Sequence, residues 1–174
     1  MLTFQPSRLF RSYYNTPGVR ETCHAVKEYG PDYREAIKEM ADFFATTYPV
    51  NADSVIVPVP QHTGRAEYTL DIANLVADSI GCRVADIVAC TPHDSFHSRK
   101  LENLPLPEFD FFLVDDIPDG DIFILDNMIS SGETFFRIRE LLARPAMPMV
   151  FGLSDGRFDR WDELEEAVME FYSS

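Results

Sequence analysis

The stretch Ile122-Phe123-Ile124-Leu125-Asp126-Asn127-Met128-Ile129-Ser130-Ser131-Gly132-Glu133-Thr134 decides the fold. Its opening apolar run is too short for a helix and suits a strand buried on both faces, as in a parallel sheet. The run ends on a carboxylate, Asp126. A short loop of hydroxyls and one glycine follows, and then a helix, expected over about 133–143 with Phe135, Ile138 and Leu142 on one face. The loop also has the makings of an anion site. The first N–H groups of a helix have no partner within it, and the positive end of the helix dipole lies there. Ser130, Ser131 and Thr134 add hydroxyls, Gly132 lets the backbone curl, and Glu133 opens the helix. Asp126, just upstream, is placed to accept hydrogen bonds from sugar hydroxyls. A ribose phosphate lying along residues 130–134 is the ligand these residue types describe. The loop is not a Walker A, because G-x-x-x-x-G-K-[ST] is absent.

Outward from this segment, strands and helices alternate. Ser54–Pro60 is another short apolar run. Leu70, Ala73, Val76 and Ile80 recur at helical spacing and stop at Gly81, a natural helix end. Residues 83–89 read as a further strand, and Met149–Leu153 as the last. A final helix is expected from Asp159, with Trp161, Leu164, Val168 and Phe171 on one stripe. Upstream, the first residues look irregular. Gly30-Pro31 then starts a helix carrying Tyr33, Ile37, Met40 and Phe44, which Tyr48-Pro49 ends. The alternation predicts an α/β protein with a mainly parallel sheet flanked by helices, and a ligand crevice at the carboxyl ends of the strands. Residues 91–110 are polar and proline-rich, and too long for an ordinary connection, which marks a functional or mobile loop.

Composition narrows the function. The chain has 174 residues and a net charge of −14. A polyanion-binding protein needs a basic face, so nucleic-acid polymers are excluded as partners, and anionic membrane surfaces on the same grounds. Residues 102–126 carry eight acidic side chains and no basic one, whereas 127–149, which hold the hydroxyl loop, are slightly positive. No apolar run is long enough to span a membrane. The N-terminus lacks an apolar export signal, which predicts a soluble cytoplasmic protein. Cys23, Cys82 and Cys90 are far apart and form no C-x-x-C pair, so they read as small core residues rather than a disulfide or zinc framework.

The segment 122–134 resembles the signature of type I phosphoribosyltransferases, which runs four hydrophobic residues, two acids, small residues, then Thr-Gly-x-Thr or a close relative. Val57-Pro58-Val59-Pro60 with the loop to Arg65, and the stretch from Tyr14 through Lys27-Glu28-Tyr29-Gly30, look like the ComF-type competence-protein branch. The similarity covers roughly residues 13–153. Asn127 stands where the signature has its second acid, as uracil phosphoribosyltransferases also lack an acid there. These 174 residues do not include the cysteine-rich zinc module that often precedes the ComF-type domain.

The resemblance implies one domain over 1–174: an N-terminal helical hood in 1–50, the core in 51–153 and a C-terminal helix in 154–174. It implies Mg²⁺-dependent transfer of phosphoribose from phosphoribosyl pyrophosphate (PRPP) to a nitrogen acceptor, with release of pyrophosphate. Ser130, Ser131, Gly132, Glu133 and Thr134 would hold the 5′-phosphate. Asp126, helped by Asn127, would hold the ribose hydroxyls. Gln61, His62, Thr63, Gly64 and Arg65 would face the pyrophosphate, and Arg99 and Lys100 would close over it from the long loop. Mg²⁺ would be held mainly by ligand oxygens and water, with Asp126 as its one protein candidate. Homodimers are common in that family.

Alternatives stand beside this reading. The fold could serve a non-catalytic protein that senses PRPP or a nucleotide. His93-Asp94-Ser95-Phe96-His97 spaces two histidines as zinc hydrolases do, but such a site needs a helix, a third ligand and normally Glu in place of Asp94. Phe111-Phe112-Leu113-Val114-Asp115-Asp116 imitates the signature's first half. The acidic Ile117-Pro118-Asp119-Gly120-Asp121 that follows would repel a phosphate, so this stretch reads as a hairpin-like arm with an acidic turn.

Overall fold

The computed structural model describes residues 12–95, 99, 102–105, 107–154 and 158–174. Its strands are β1 (Ser12–Tyr13), β2 (Ser54–Pro58), β3 (Arg83–Val84), β4 (Val88–Cys90), β5 (Phe111–Leu113), β6 (Asp121–Ile129) and β7 (Ala146–Leu153). Its helices are α1 (Val19–Glu28), α2 (Tyr33–Thr47), α3 (Tyr68–Ile80), α4 (Glu133–Leu142) and α5 (Trp161–Ser173). The main sheet runs β1-β7-β6-β2-β3 and every pairing in it is parallel. β4 and β5 form a separate antiparallel pair. The architecture is the expected α/β one, with a parallel sheet between helices.

The central strands carry continuous apolar runs, Val55–Pro58 in β2 and Ile122–Leu125 in β6, because both of their faces are covered there. In β6, Ile122 and Ile124 face the core shared with α4, while Phe123 and Leu125 face the core shared with α1, α2 and α3. β2 alternates in the same way, with Val55 and Val57 on one side and Ile56 on the other. α5 contributes to both cores, Val168 to one and Leu164 and Ala167 to the other.

Several elements differ from the sequence reading. α1 was not expected. It has a polar majority and buries only Val19, Thr22, Cys23 and Val26, so its apolar stripe is thin. α2 starts at Tyr33, two residues beyond Pro31, with Asp32 at its N-cap. Residues 83–89 are not one strand: β3 stays in the main sheet and β4 leaves it. The hairpin-like arm at 111–116 does pair antiparallel, but β5 takes β4 as its partner, and the acidic turn at 115–120 leads on to β6 without forming the hairpin's own turn. β6 also runs on past Leu125, through Asp126 and Asn127, because β7 continues to pair beside it up to Ile129.

Residues 12–47 supply β1 and two helices that pack on the α3 face of the sheet. Where β1 ends, a side chain takes over its role. The buried Tyr48 hydroxyl accepts the Val150 N–H at 2.9 Å and donates to the Val150 carbonyl at 3.2 Å, so this part of β7 is satisfied without a strand.

Candidate functional site

From β2 the chain moves to β3 on one side, then returns to β6 on the other side of β2. The β2–β6 boundary is therefore a topological switch point, and in open parallel sheets ligands bind in the crevice at the carboxyl ends of such strands. Two loops open there, residues 59–67 after β2 and 130–132 after β6. β2 ends with Pro58 opposite Leu125, and the Val59 N–H donates to the Leu125 carbonyl at 2.9 Å. Asp126 is thus the first residue of β6 beyond the end of β2.

Asp126 is half-buried, and its Oδ1 accepts the Asn127 N–H at 2.7 Å. Burial pushes its carboxyl up from an ordinary 3.8 to about 6, against the lowering effect of the Lys27 ammonium and of the Asn127 and Met128 N–H groups. Asn127 is only 2% exposed. Its Oδ1 accepts the Tyr68 hydroxyl of α3 at 3.3 Å, its carbonyl lies 3.8 Å from Cys23 Sγ of α1, and its Nδ2 is buried without a partner among the described residues. Asn127 therefore sits beneath the crevice floor, between α1 and α3. Burial raises the Tyr68 hydroxyl well above its usual range and the Cys23 thiol to about 12, so neither ionises near neutral pH.

The hydroxyl loop has the local geometry that its sequence demands. Gly132 takes φ +83° as the N-cap of α4, and a Cβ there would lie 2.8 Å from Phe158 and 3.0 Å from Phe136. The position therefore needs glycine for its conformation and for space. Ser131 Oγ accepts the Glu133 N–H at 3.4 Å. Ser131 and Glu133 are exposed, and Ser130 and Thr134 half-buried. A cation that the sequence did not flag stands by the loop: Arg160 lies over the Phe136 ring at 3.8 Å and its Nη1 is 3.5 Å from the Glu133 carboxylate. Its place just before α5 conceals this proximity in the sequence. Lys27 and Tyr68 were also missed, since helices far apart in sequence bring them to the end of β6.

The loop after β2 is tied internally. The Gln61 N–H donates to the Arg65 carbonyl and the Gly64 N–H to the Gln61 carbonyl, both at 2.9 Å. The Gln61 side chain accepts the Glu67 N–H and donates to the Val59 carbonyl and the Thr69 hydroxyl. The Thr63 hydroxyl donates to Glu67. Arg65 turns to the β3–β4 connection, where its Nη2 binds the Asp86 carboxylate at 2.6 Å and the Asp86 carbonyl at 3.1 Å.

The long loop docks on this one. The Cys90 N–H donates to the Gly64 carbonyl at 3.0 Å and the His93 N–H to the His62 carbonyl at 2.9 Å. Between them is an open cleft of about 850 Å³, lined in part by His62, Thr63, His93, Asp94, Arg99 and Glu108. Arg99 is held there by Asp94 at 2.9 Å and by the Pro105 carbonyl at 2.6 Å. The structure thus brings His62, Thr63 and Arg99 into one cleft. Asp126 and the hydroxyl loop do not line it. Lys100 lies outside the described residues.

The zinc reading gains nothing here. His97 lies outside the described residues, and 91–95 are not helical. The His93 ring stacks on Phe109 at 4.0 Å. Among the described residues no group of three or more His, Cys, Asp or Glu side chains could hold a metal ion, and no helix is long and apolar enough to cross a membrane. No protein-family model and no curated protein matches the chain.

Proposed function

We propose that the crevice at the carboxyl ends of β2 and β6 binds PRPP, and that the protein transfers its phosphoribosyl group to a nitrogen acceptor. The acceptor nitrogen attacks the anomeric carbon, the bond to pyrophosphate breaks, and pyrophosphate leaves with that bond's electron pair. The transition state is oxocarbenium-like, so catalysis rests on positioning and charge stabilisation.

One observation carries the reading. At the switch point, a carboxylate on the first residue of β6 past β2 is followed, in the loop that leaves β6 after Ile129, by a left-handed glycine opening a helix. On this reading Ser130–Thr134 hold the 5′-phosphate at the N-terminus of α4. Asp126 accepts the ribose hydroxyls, and Asn127 braces the strand end from below through Tyr68. Gln61–Arg65 and the long loop, with Arg99 and Lys100, serve the pyrophosphate and exclude water. With no group of three or more possible metal ligands among the described residues, Asp126 fits Mg²⁺ only when ligand oxygens and water fill the remaining positions. Held in that way, beside Asp126, the metal would supply charge neutralisation for the departing pyrophosphate.

Calorimetric titration with PRPP in the presence of Mg²⁺ tests the reading. Saturable binding in the micromolar range is expected, and Asp126→Ala or Gly132→Val abolishes it. Absence of binding to the unaltered protein sinks the proposal.

A second reading, a non-catalytic PRPP or nucleotide sensor, is favoured by the state of the cations. Arg65 and Arg99 are each neutralised by a neighbouring aspartate. Pyrophosphate release measured against a panel of nucleobases separates the two. Binding without turnover for every base selects the sensor.

A further inference from the structure

The β4–β5 ribbon has one edge in use and, among the described residues, one that no strand covers. β4 is buried along its length, and its outer edge is tied to the loop after β2 through the Cys90 N–H. β5 is different. The Thr91 N–H donates to the Asp110 carbonyl and the Val114 N–H to the Ile87 carbonyl, both at 2.9 Å, so Asp110 and Val114 turn their backbone groups towards β4. Alternation along an antiparallel strand then directs the N–H and C=O groups of Phe111 and Leu113 the other way. No strand pairs with them there among the described residues.

The side chains on this strand are just as open. Phe112, Leu113 and Val114 are 45%, 36% and 44% exposed. Three consecutive exposed apolar residues on an unpaired edge are what proteins usually avoid, because such an edge is a template for another strand. Charge says which kind of strand. Asp115 and Asp116 follow the apolar run and are exposed, within a sequence segment of eight acids and no base, while at the other end Arg137 of α4 lies 3.5 Å from Asp110 and donates to the Phe109 carbonyl at 2.8 Å. A second copy of this chain would bring a second such segment within a Debye length, at a repulsive cost. A chain with cations at alternate positions would be attracted.

We propose that the free edge of β5, over Phe111–Val114, takes an extended polypeptide segment of alternating apolar and basic residues as a third strand. Main-chain hydrogen bonds to Phe111 and Leu113 give the pairing, and Asp115 and Asp116 select for cations at the end of the strand where they stand. This surface does not depend on the ligand reading of the β2–β6 crevice.

The test uses the full chain and a short, capped, fluorescent peptide of alternating valine and arginine. Three comparison peptides go with it: glutamate in place of arginine, lysine in place of arginine, and the parent N-methylated at every residue. Fluorescence anisotropy is expected to show saturable binding of the arginine and lysine peptides and none of the glutamate peptide. N-methylation should abolish it, and the exposed-site variants Asp115→Asn/Asp116→Asn and Phe112→Ser should each weaken it about tenfold or more. No saturable binding of the parent peptide overturns the proposal. So does equal binding of the N-methylated peptide, which would mean charge attraction without strand pairing. Sedimentation showing a concentration-dependent dimer that Phe112→Ser dissolves also overturns it, by making a second copy the occupant.

Discussion

Asp126 is the residue on which chemistry and stability meet. The unfolded chain gives up its proton near 3.8, and the folded protein holds it up to about 6. This group therefore favours the folded state at acid pH. Its contribution is full below about 4 and is lost as pH rises through 6. Asp126→Asn, which keeps the shape and removes the charge, is expected to stabilise the protein by about 1–3 kcal/mol at pH 7.5, with the gain fading towards pH 4. Urea denaturation at both pH values measures this. A gain that does not change with pH would show that the carboxylate is not held ionised at a cost. A proton donor or acceptor poised in this range is what a binding site retains at the expense of stability. Much of this residue was legible in the sequence. An apolar run ending on an acid before a hydroxyl loop specified where Asp126 would sit. Its perturbation was not legible, because that depends on Lys27 and on burial by helices distant in sequence. The opposite fate of its neighbour was equally hidden. Whether Asn127 lies in the crevice or beneath it is decided by Tyr68 and Cys23, across the α1–β6–α3 contact.

Among the elements, β7 shows how a sheet edge is completed by unlike parts. β1 pairs with Gly152 and Leu153, and the Tyr48 hydroxyl serves Val150. Tyr48→Phe would strip both partners from a buried peptide group while keeping the ring. A loss of about 2–4 kcal/mol is expected in chemical denaturation, since unsatisfied buried groups cost more than the mean hydrogen bond. A change within experimental error would mean that water replaces the hydroxyl. Sequence periodicity served the elements unequally. α3, with Gly81 left-handed at φ 84°, and α4, with Phe135, Ile138 and Leu142 buried, were readable because each carries a wide apolar face and a clear signal at one end. β1 is too short to leave a pattern, and α1 has a glycine N-cap rather than a hydroxyl or acid. The division of 83–90 into β3 and β4 follows from pairing partners, which local sequence does not specify.

At the scale of the whole molecule, two apolar layers on opposite faces of one sheet hold the fold, and acidity is kept outside them. Some of the acidic surplus in α5 is paired: Arg139 of α4 binds Glu170, and Arg160 binds Glu163. Such surface pairs contribute little each, and the layers dominate. Phe151 is fully buried in the α1–α2–α3 layer, with Phe43 meeting it edge-on at 5.4 Å. Phe151→Ala is expected to cost about 3–5 kcal/mol by denaturant melt. A much smaller loss would mean that this layer collapses readily around the gap. The register of β1 beside β7 has a consequence of another kind, in the time order of synthesis. β1 is seated against β7, so Ser12 and Tyr13 have no place to dock until Gly152 and Leu153 have been translated. Throughout that interval the rest of the sheet must hold without β1 at its edge, and the nascent chain keeps Ser12 and Tyr13 available to whatever meets them first.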